Sequence, residues 1–304
     1  MTSPSPAPVA AEVSVVIPTL GRPILAQALE ALARGTRRPA EVLVVDQGRS
    51  EKIARIIEGV RRRGLLAVEH LPMDGRGRAV GVNEGVRQAR TPFVLVTDDD
   101  CIVEPEWVEA MAAALATHPG ALVTGRVEAW EDGRVPVVVT ARTRFVQRRP
   151  RLTFDSLSGG NMGAARRVLE ELGGLDEDPL SATAEDAELA YRALRAGVPL
   201  VYEPASGVAH VDWREGEARK EQVRSYARSH GAFYGKYLRE GDAFIGVRLG
   251  VHLLRSGVRW VRGLLRRDPE LAANGWLYLT RLPGGVRAGF GAPSEVIRPS
   301  GRRR

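Results

Sequence analysis

Phe93-Val-Leu-Val-Thr-Asp-Asp-Asp100 is a short apolar run that ends in three consecutive aspartates. Its length and its β-branched residues predict a buried strand, with the carboxylates at its carboxyl end. Neighbouring carboxylates raise each other's pKa and cost stability unless a cation neutralises them. Oxygen ligands at one place suit Mg²⁺ or Mn²⁺, which also bind substrate phosphates. The alternative is a solvated acidic turn before the next helix.

Similar apolar runs alternate with stretches of helical spacing on both sides of this strand. Up to the aspartates, strands are predicted over residues 13–17, 41–46, 67–71 and 93–97, with helices between them over 23–34, 51–63 and 78–89. Beyond them, helices are predicted over 105–117 and 184–196, and strands over 121–130, 135–140 and 200–203. This alternation predicts an α/β fold with a mainly parallel sheet flanked by helices.

Two of the predicted strands end in aspartates, Asp46 in one case and Asp98, Asp99 and Asp100 in the other. In open parallel sheets, ligands bind in the crevice beyond the carboxyl ends of the strands. We therefore expect these carboxylates to face one crevice.

The composition is that of a globular protein with room for a large core and an appendage: 304 residues, of which 44% are hydrophobic. The one cysteine, Cys101, excludes an internal disulfide framework and favours a reducing compartment. Beside the aspartates, we interpret it as a small buried hydrophobe and not as a nucleophile. Residues 1–11 lack a basic segment before an apolar one, so we expect a disordered tail and no signal peptide. No stretch approaches the roughly 18 apolar residues that span a bilayer.

The net charge of +7 is unevenly distributed, because residues 211–304 contain 19 Lys and Arg against 9 Asp and Glu. A helical face in this basic region carries Arg248, Arg255, Arg259, Arg262 and Arg266. Apolar residues at 247, 251, 254, 258, 261 and 265 follow the same spacing about 100° away. Two interpretations stay open. The helix lies on an anionic membrane surface, or it packs on its own domain with a solvated arginine face.

Six short motifs, in this order, resemble those of family 2 glycosyltransferases. They are Val15-Val-Ile-Pro-Thr19 with Arg22-Pro23, Val44-Val-Asp46 with Ser50, Gly77 with Asn83-Glu-Gly85, the aspartates at 98–100, Gly159-Gly-Asn-Met162, and Glu185-Asp186 followed by Leu189, Tyr191, Arg192 and Gly197. The resemblance covers residues 12–213 and leaves 214–304 as a separate helical, arginine-rich region. It implies the GT-A fold with its Rossmann-like nucleotide-binding half, a nucleotide-diphospho-sugar donor, and transfer with inversion to an acceptor hydroxyl.

On the donor side, the resemblance implies that the aspartate cluster holds the ribose and a metal, Mg²⁺ or Mn²⁺. Asp98 is assigned to the nucleoside and the metal, Asp100 to the metal, and Asp99 to the donor with its role left open. Charge develops on the leaving diphosphate in the transition state, and a divalent cation stabilises it as a Lewis acid. His210 would reach the metal or the diphosphate. The alternative for a lone histidine is a structural role.

The resemblance also implies which residues contact the rest of the donor. Asp46 and the turn formed by Pro18 and Thr19 would contact the nucleobase. Arg78, which follows a glycine-containing loop, would steady the nucleotide phosphates or the base. Its alternative is a surface arginine in a flexible turn, because exposed arginines are common.

On the acceptor side, inversion by direct displacement needs one general base. The resemblance implies Asp186 for this role, with Glu185 as its neighbour against the acceptor or sugar. Asn161 follows a glycine pair, where the backbone would approach a sugar closely. Structural alternatives stay open here: Thr183 and Asp186 match a capping box, and the glycine pair matches an ordinary turn.

The sequence favours transfer of single sugars over chain synthesis. The Gln-x-x-Arg-Trp motif of processive synthases has only a partial match at 222–226, Gln-Val-Arg-Ser-Tyr. A sugar-phosphate nucleotidyltransferase is the alternative enzyme, although residues 18–23 are a poor glycine-rich phosphate loop. A dehydrogenase is disfavoured because Val80 stands where a third glycine belongs.

A non-catalytic basic module that binds anionic lipid or nucleic acid is the remaining alternative, but it would leave the first 210 residues unexplained. No nucleic-acid partner is therefore expected. We expect a cytoplasmic protein, peripheral at the inner face of a membrane, with a lipid-linked or cell-envelope glycan as acceptor.

Overall fold

The computed structural model describes residues 11–130, 141–211, 216–293 and 296–298. Its strands are β1 Ala11–Thr19, β2 Pro39–Asp46, β3 Val68–Pro72, β4 Phe93–Thr97, β5 Cys101–Val103, β6 Leu122–Ala129, β7 Phe145–Gln147, β8 Asn161–Ala165 and β9 Leu200–His210. Its helices are α1 Leu25–Ala33, α2 Glu51–Arg62, α3 Arg78–Gln88, α4 Trp107–Thr117, α5 Arg166–Leu172, α6 Glu185–Arg195, α7 Gly216–Arg239, α8 Ala243–Arg266 and α9 Pro269–Gly291, with a 3-10 turn at Pro179–Ser181. The strand predicted over 135–140 lies outside the described residues.

The described strands form one sheet in the order β3-β2-β1-β4-β8-β6-β9-β5, with β7 paired to β9. The first four of these run parallel, whereas β8 is antiparallel to both β4 and β6. One core packs α1, α2 and α4 on one face of the sheet, and a second packs α3, α5 and α6 on the other. Burial on both faces explains why β1, β2 and β4 are nearly continuous apolar runs. The predicted α/β fold with flanking helices is confirmed, with the parallel order in its first half and mixed pairing in its second.

The sheet register brings the ends of several strands to one edge. The pairs at this edge are Thr19 with Asp46, Thr97 with Asn161, and Cys101 with His210. The predicted site residues on β1, β2, β4, β8 and β9 therefore belong to one side of the sheet, as the crevice prediction requires.

Some elements differ from the prediction. Strands β5, β7 and β8 and helix α5 were not predicted. Strand β8 has the sequence Asn-Met-Gly-Ala-Ala, which contains no β-branched residue and ends in three small ones, so it lacks the usual strand signal. Close packing explains this composition: a Cβ added at Gly163 would lie 2.6 Å from Leu95 Cδ2 on the neighbouring strand. Strand β9 continues to His210 instead of ending at 203, and α4 begins at Trp107, two residues later than predicted.

The last three helices pack closely on one another. A Cβ added at Gly231 or Gly235 of α7 would lie 2.2 Å from a carbonyl oxygen of α9, so these contacts require glycine. Their aromatic core includes Tyr191 of α6, which joins the bundle to the sheet domain. No described helix combines the length and the hydropathy needed to cross a bilayer.

Helix α8 turns its predicted apolar face away from the protein. Arg248 of the predicted arginine face is only 2% exposed, and its Nη1 donates a hydrogen bond to Asp155 Oδ2 (2.6 Å). Most of the predicted apolar face instead points outward, with Leu265 79% exposed and Leu254 69% exposed. The helix does pack on its own domain, and Arg255, Arg262 and Arg266 are exposed, as the second interpretation expected. Its inward face, however, is formed by Ile245, Arg248, His252 and Ser256, with Leu249 and Leu253 partly buried, and not by the predicted apolar face.

Candidate active site

The loop after β1 closes over the aspartate cluster. Thr19 Oγ1 donates a hydrogen bond to Asp99 Oδ2 (2.6 Å) and accepts one from Gly21 N (3.1 Å). Gly21 has φ +98°, a conformation that favours glycine, and the turn brings Arg22 back over the carboxylates. Arg22 Nη1 donates to Asp100 Oδ2 (2.7 Å), while its Nε (3.1 Å) and Nη2 donate to the two oxygens of Asp99. The cluster is thus partly neutralised by a cation of the chain itself.

Asp99 is fully buried, and burial raises its pKa although Arg22 and Thr19 act in the opposite direction. Burial lowers the pKa of Arg22, but Asp100 and Asp99 raise it by more, so the guanidinium stays charged. Both oxygens of Asp99 are engaged by Arg22 or Thr19. Asp99, whose role the sequence left open, therefore holds the loop after β1 in place.

Arg78 connects the aspartate cluster to the acidic pair at the start of α6. It is the first residue of α3, and its Nε donates to Asp98 Oδ1 (2.7 Å) while its Nη1 donates to Glu185 Oε1 (3.3 Å). The glycine pair packs against these groups, because a Cβ at Gly159 would lie 2.9 Å from Arg78 Nη1 and one at Gly160 2.9 Å from Asp98 Oδ2. The alternative of a surface arginine in a flexible turn is wrong.

The Arg78–Glu185 pair has unusual electrostatics. Burial raises the pKa of Glu185 to about 8; Arg78 lowers it, and Asp186 and Asp98 raise it further. Burial lowers the pKa of Arg78, but Asp98 and Glu185 raise it by more. Glu185 Oε2 and Arg78 Nη2 are buried without a hydrogen-bond partner among the described residues. Perturbed groups and unsatisfied polar atoms in one crevice are typical of a site that binds a polar ligand.

Asp186 lies beside the glycine pair. Its Oδ2 accepts a hydrogen bond from Gly159 N (2.9 Å), and its Oδ1 accepts one from Ala187 N (2.7 Å). The capping-box alternative is wrong, because α6 begins at Glu185 after Ala184, and Thr183 Oγ1 instead lies 3.3 Å from Ser225 Oγ. The half-buried Asp186 carboxylate is thus held by backbone groups at the edge of the crevice.

Asp46 shapes the neighbouring loop. Its buried carboxylate accepts hydrogen bonds from Ser50 N (2.8 Å) and Gly48 N (3.1 Å), and His70 Nε2 lies 3.0 Å from Oδ2. Gln47 N donates to Thr19 O (3.0 Å), which joins this loop to the one after β1. Pro18 is buried in the strand just before that turn. The predicted nucleobase residues are therefore brought together, with the Asp46 side chain turned into the protein.

The Asn161 side chain is buried in the protein and does not face the crevice. The side chain is 0% exposed, its Oδ1 accepts from Trp107 Nε1 (2.8 Å), and its Nδ2 donates to Ser206 O (2.8 Å) and Arg126 O (2.9 Å). All of these partners are protein groups, so the amide is saturated. The expectation that this side chain contacts a sugar has no support in the geometry.

His210, Asp100 and Cys101 offer ligand atoms that lie within 4.8 Å of one another. His210 Nε2 lies 3.6 Å from Asp100 Oδ1, and His210 Nδ1 is buried without a partner in the described part of the chain. Burial raises the pKa of Cys101 well above its ordinary value, with Asp98 and Asp100 adding to the effect. Without a cation the cysteine therefore stays a thiol. Its soft sulfur is also not a ligand that Mg²⁺ or Mn²⁺ favours. The carboxylate and the imidazole fit a divalent cation, and the orphaned ring nitrogen supports a site of this kind.

Arg22 is the principal residue of the site that was not assigned from the sequence. It was quoted in the first motif but given no role, because its contact with Asp99 and Asp100 spans more than seventy residues. The available signal was Gly21, since a glycine after a strand permits the turn that returns the next side chain.

Two curated relatives match more than half of the chain. The pre-mycofactocin glycosyltransferase of Mycobacterium tuberculosis is 28% identical over 232 residues, which cover 74% of this chain and 46% of that protein. The chondroitin synthase of Escherichia coli is 26% identical over 223 residues, which cover 60% of this chain and 32% of that protein. The chain thus spans about half the length of these relatives or less.

Solved structures show the same fold. The mannosyltransferase PcManGT from Pyrobaculum calidifontis, in complex with GDP-Man and Mn²⁺, superposes with a TM-score of 0.63 at 17% identity and covers 95% of this chain and 90% of that one. Residues 1–349 of TarS from S. aureus, in complex with UDP-GlcNAc, give a TM-score of 0.56 at 18% identity and cover 91% and 92%. The predicted GT-A fold is confirmed. The model of the family described as glycosyltransferase like family 2 matches residues 10–232, well over half of the chain, and the chain belongs to this family.

Proposed function

We propose that this chain moves a single sugar from a nucleotide-diphospho-sugar to an acceptor hydroxyl, with inversion and with the help of Mg²⁺ or Mn²⁺. The observation that carries the proposal is the series of contacts from Asp98 through Arg78 to Glu185, which joins the donor aspartates to the acidic pair across one crevice. Family membership supports sugar transfer over the nucleotidyltransferase and the non-catalytic basic module. The GDP-Man and UDP-GlcNAc held by solved relatives support the donor class.

On the donor side, Asp98 would hold the nucleoside, and Asp100 with His210 would hold the cation. A bound divalent cation would supply Lewis acidity at the leaving diphosphate. Nitrogen and oxygen donors together favour Mn²⁺ somewhat over Mg²⁺, which prefers oxygen ligands. Arg78 would direct its unsatisfied Nη2 to the phosphates, where a guanidinium binds strongly.

The nucleobase would lie against the two loops that Asp46 and Thr19 hold together. Both side chains are already hydrogen-bonded within the protein, so their contribution is to fix the shape of these loops. Pro18 stiffens the end of β1, because its ring fixes φ. Preorganised loops bind a ligand with a smaller loss of conformational entropy.

On the acceptor side, Asp186 would accept the proton of the attacking hydroxyl. Its hydrogen bonds from Gly159 N and Ala187 N orient the carboxylate before the acceptor arrives. Glu185, with a pKa of about 8, carries its proton at neutral pH for most of the time and can donate a hydrogen bond to a substrate oxygen. The two acids would therefore have different roles: Asp186 is the base, and Glu185 donates a hydrogen bond that orients the substrate. Asn161 would act by positioning β8 and not by touching the sugar.

The test compares Asp186→Asn with the wild type in transfer and in donor binding. We expect turnover to fall about 10²- to 10⁴-fold, the range for a lost general base. Stabilisation by UDP or GDP with Mn²⁺, measured as a rise in Tm, should stay unchanged, because a ligand stabilises the state that it binds. Glu58→Gln on α2 removes an exposed acid far from the site and serves as the control.

Full turnover in Asp186→Asn would overturn the assignment of the base while leaving the donor site intact. No rise in Tm with any nucleoside diphosphate in the presence of Mn²⁺ would instead overturn the donor class. The two results separate the chemistry from the binding.

A further inference from the structure

The outward face of α8 is an exposed apolar stripe. Its members recur at helical spacing and are about half exposed or more: Val247, Leu254, Val258, Val261 and Leu265. Gly250 and Gly257 lie on the same face, and a Cβ added at either would meet nothing within 4 Å. A contiguous apolar surface of this kind on a folded domain marks an interaction site.

The inward face of α8 is fixed by contacts, so the helix cannot turn this stripe into the core. Arg248 is paired with the buried Asp155, and its guanidinium lies 5.8 Å from the ring centre of Tyr191. Near the other end, a Cβ added at Gly263 would lie 2.3 Å from Ala272 N of α9. The apolar stripe is therefore a built feature of the helix and not a result of loose packing.

Arginines border the stripe on one side. Arg255, Arg262 and Arg266 are exposed, and Arg259 is half-buried. Helix α8 contains no acidic residue between Ala243 and Arg266, so no carboxylate on the helix offsets these charges. An apolar stripe bordered by cations is the pattern of helices that lie in the interface of an anionic bilayer.

Two tryptophans add a second feature of this kind. Trp260 of α8 and Trp276 of α9 have ring centroids 5.2 Å apart, and Trp276 is half exposed. Indole rings have an apolar body and a polar N–H, so they are enriched at membrane interfaces and at protein interfaces.

We propose that the outward face of α8 binds the surface of an anionic lipid bilayer. The helix would lie in the plane of the surface, with the apolar stripe at the acyl boundary and the arginines among the headgroups. Two other binding partners, a second copy of the chain and a nucleic acid, fit this surface less well. A second copy of the chain would bring the same arginines together across a two-fold axis, and a nucleic acid would leave the apolar stripe uncovered. The proposal does not depend on the transfer reaction.

The test is co-sedimentation of the full chain with phosphatidylcholine vesicles that contain or lack phosphatidylglycerol, at low salt. We expect binding to the anionic vesicles only. Arg262→Gln with Arg266→Gln should lower the partition constant about 30-fold, from the usual contribution of a cation near such a surface. Leu254→Ser with Leu265→Ser should lower it about tenfold or more, because less apolar area is buried.

Arg62→Gln with Arg87→Gln provides the matched control, because it removes two exposed arginines from other helices. We expect this pair to bind like the wild type. The α8 substitutions are at exposed positions and should leave Tm within about 2 °C. If the leucine pair lowers Tm further, Val261→Ser alone replaces it.

Three results would overturn the proposal: no binding of the wild type to anionic vesicles, equal losses in the control pair, or a dimer that Leu254→Ser with Leu265→Ser disperses in analytical ultracentrifugation. The last result would assign the stripe to a second copy of the chain.

Discussion

Arg22→Gln should destabilise the protein, because it removes the cation that the chain itself supplies to the aspartate cluster. Asp99 is fully buried and Asp100 is 3% exposed, so neither carboxylate can recover its solvation in water. Glutamine keeps part of the side-chain volume and can still donate hydrogen bonds, so the change isolates the charge. The loss follows from leaving buried carboxylates without a counter-charge.

The magnitude can be worked from the contacts. Removing one partner of a buried ion pair costs about 3–5 kcal/mol. The Arg22 side chain is 30% exposed, and this solvent contact argues for the low end of the range, about 3 kcal/mol. For a chain of this size each kcal/mol lowers Tm by roughly 2 °C, so we expect a decrease of about 6 °C.

Thermal unfolding of Arg22→Gln, Arg62→Gln and the wild type measures the effect. Arg62 is the control, because it is 74% exposed and its Nε lies 3.7 Å from Glu58 Oε1, a surface pair that contributes little. Asp99→Asn in the Arg22→Gln background should recover part of the lost stability, because it removes one of the uncompensated charges. A Tm for Arg22→Gln within 1 °C of that of Arg62→Gln would refute the reasoning.

Two further predictions concern buried charges elsewhere. The fold raises the pKa of Glu185 to about 8, so the folded state binds this proton more tightly than the unfolded state does. The resulting contribution to the free energy of unfolding is present below about pH 4 and is lost as the pH rises to 8. Glu185→Gln mimics the protonated form and should melt like the wild type at pH 4 but a few degrees higher at pH 9; a constant difference across this range would contradict it. Arg248→Met should lower the free energy of unfolding by about 3–5 kcal/mol, because Asp155 then lacks its cation. We expect a lower Tm and an increase in hydrogen exchange that is larger in α8 than in α2. Equal exchange changes in both helices would count against this local effect.

The central strands could be predicted because their environment is uniform. Strands β1, β2 and β4 are covered on both faces, so an uninterrupted apolar run records their burial directly. Strand β8 is also buried, but the Leu95 side chain lies so close to Gly163 that only a small residue fits there. Such a strand carries no β-propensity signal, because its composition depends on a neighbour 68 residues away in sequence.

The same distinction applies to the site. The resemblance assigned Asp98, Arg78 and Glu185 to one site, and in the structure Arg78 donates hydrogen bonds to both acids. Asn161 was assigned to a sugar because the residue type and the glycine pair suit one. Its actual partners come from residues 107, 126 and 206, a set that a local pattern does not contain. Local sequence therefore indicates which residues reach the site edge but not which way a side chain turns there.

Helix α8 shows why periodicity alone leaves an orientation open. The spacing gives the angle between the arginine and apolar faces, but the face that turns inward depends on what is available to receive it. Asp155 supplies a buried carboxylate, so Arg248 can be buried as an ion pair. As a consequence, the five side chains of the apolar stripe remain in water. Each lacks about 1 kcal/mol of the free energy that its full burial would contribute. A total of about 5 kcal/mol is comparable to the net stability of a small domain. A surface that covers the stripe would recover much of this energy, which is the physical reason to expect that one does.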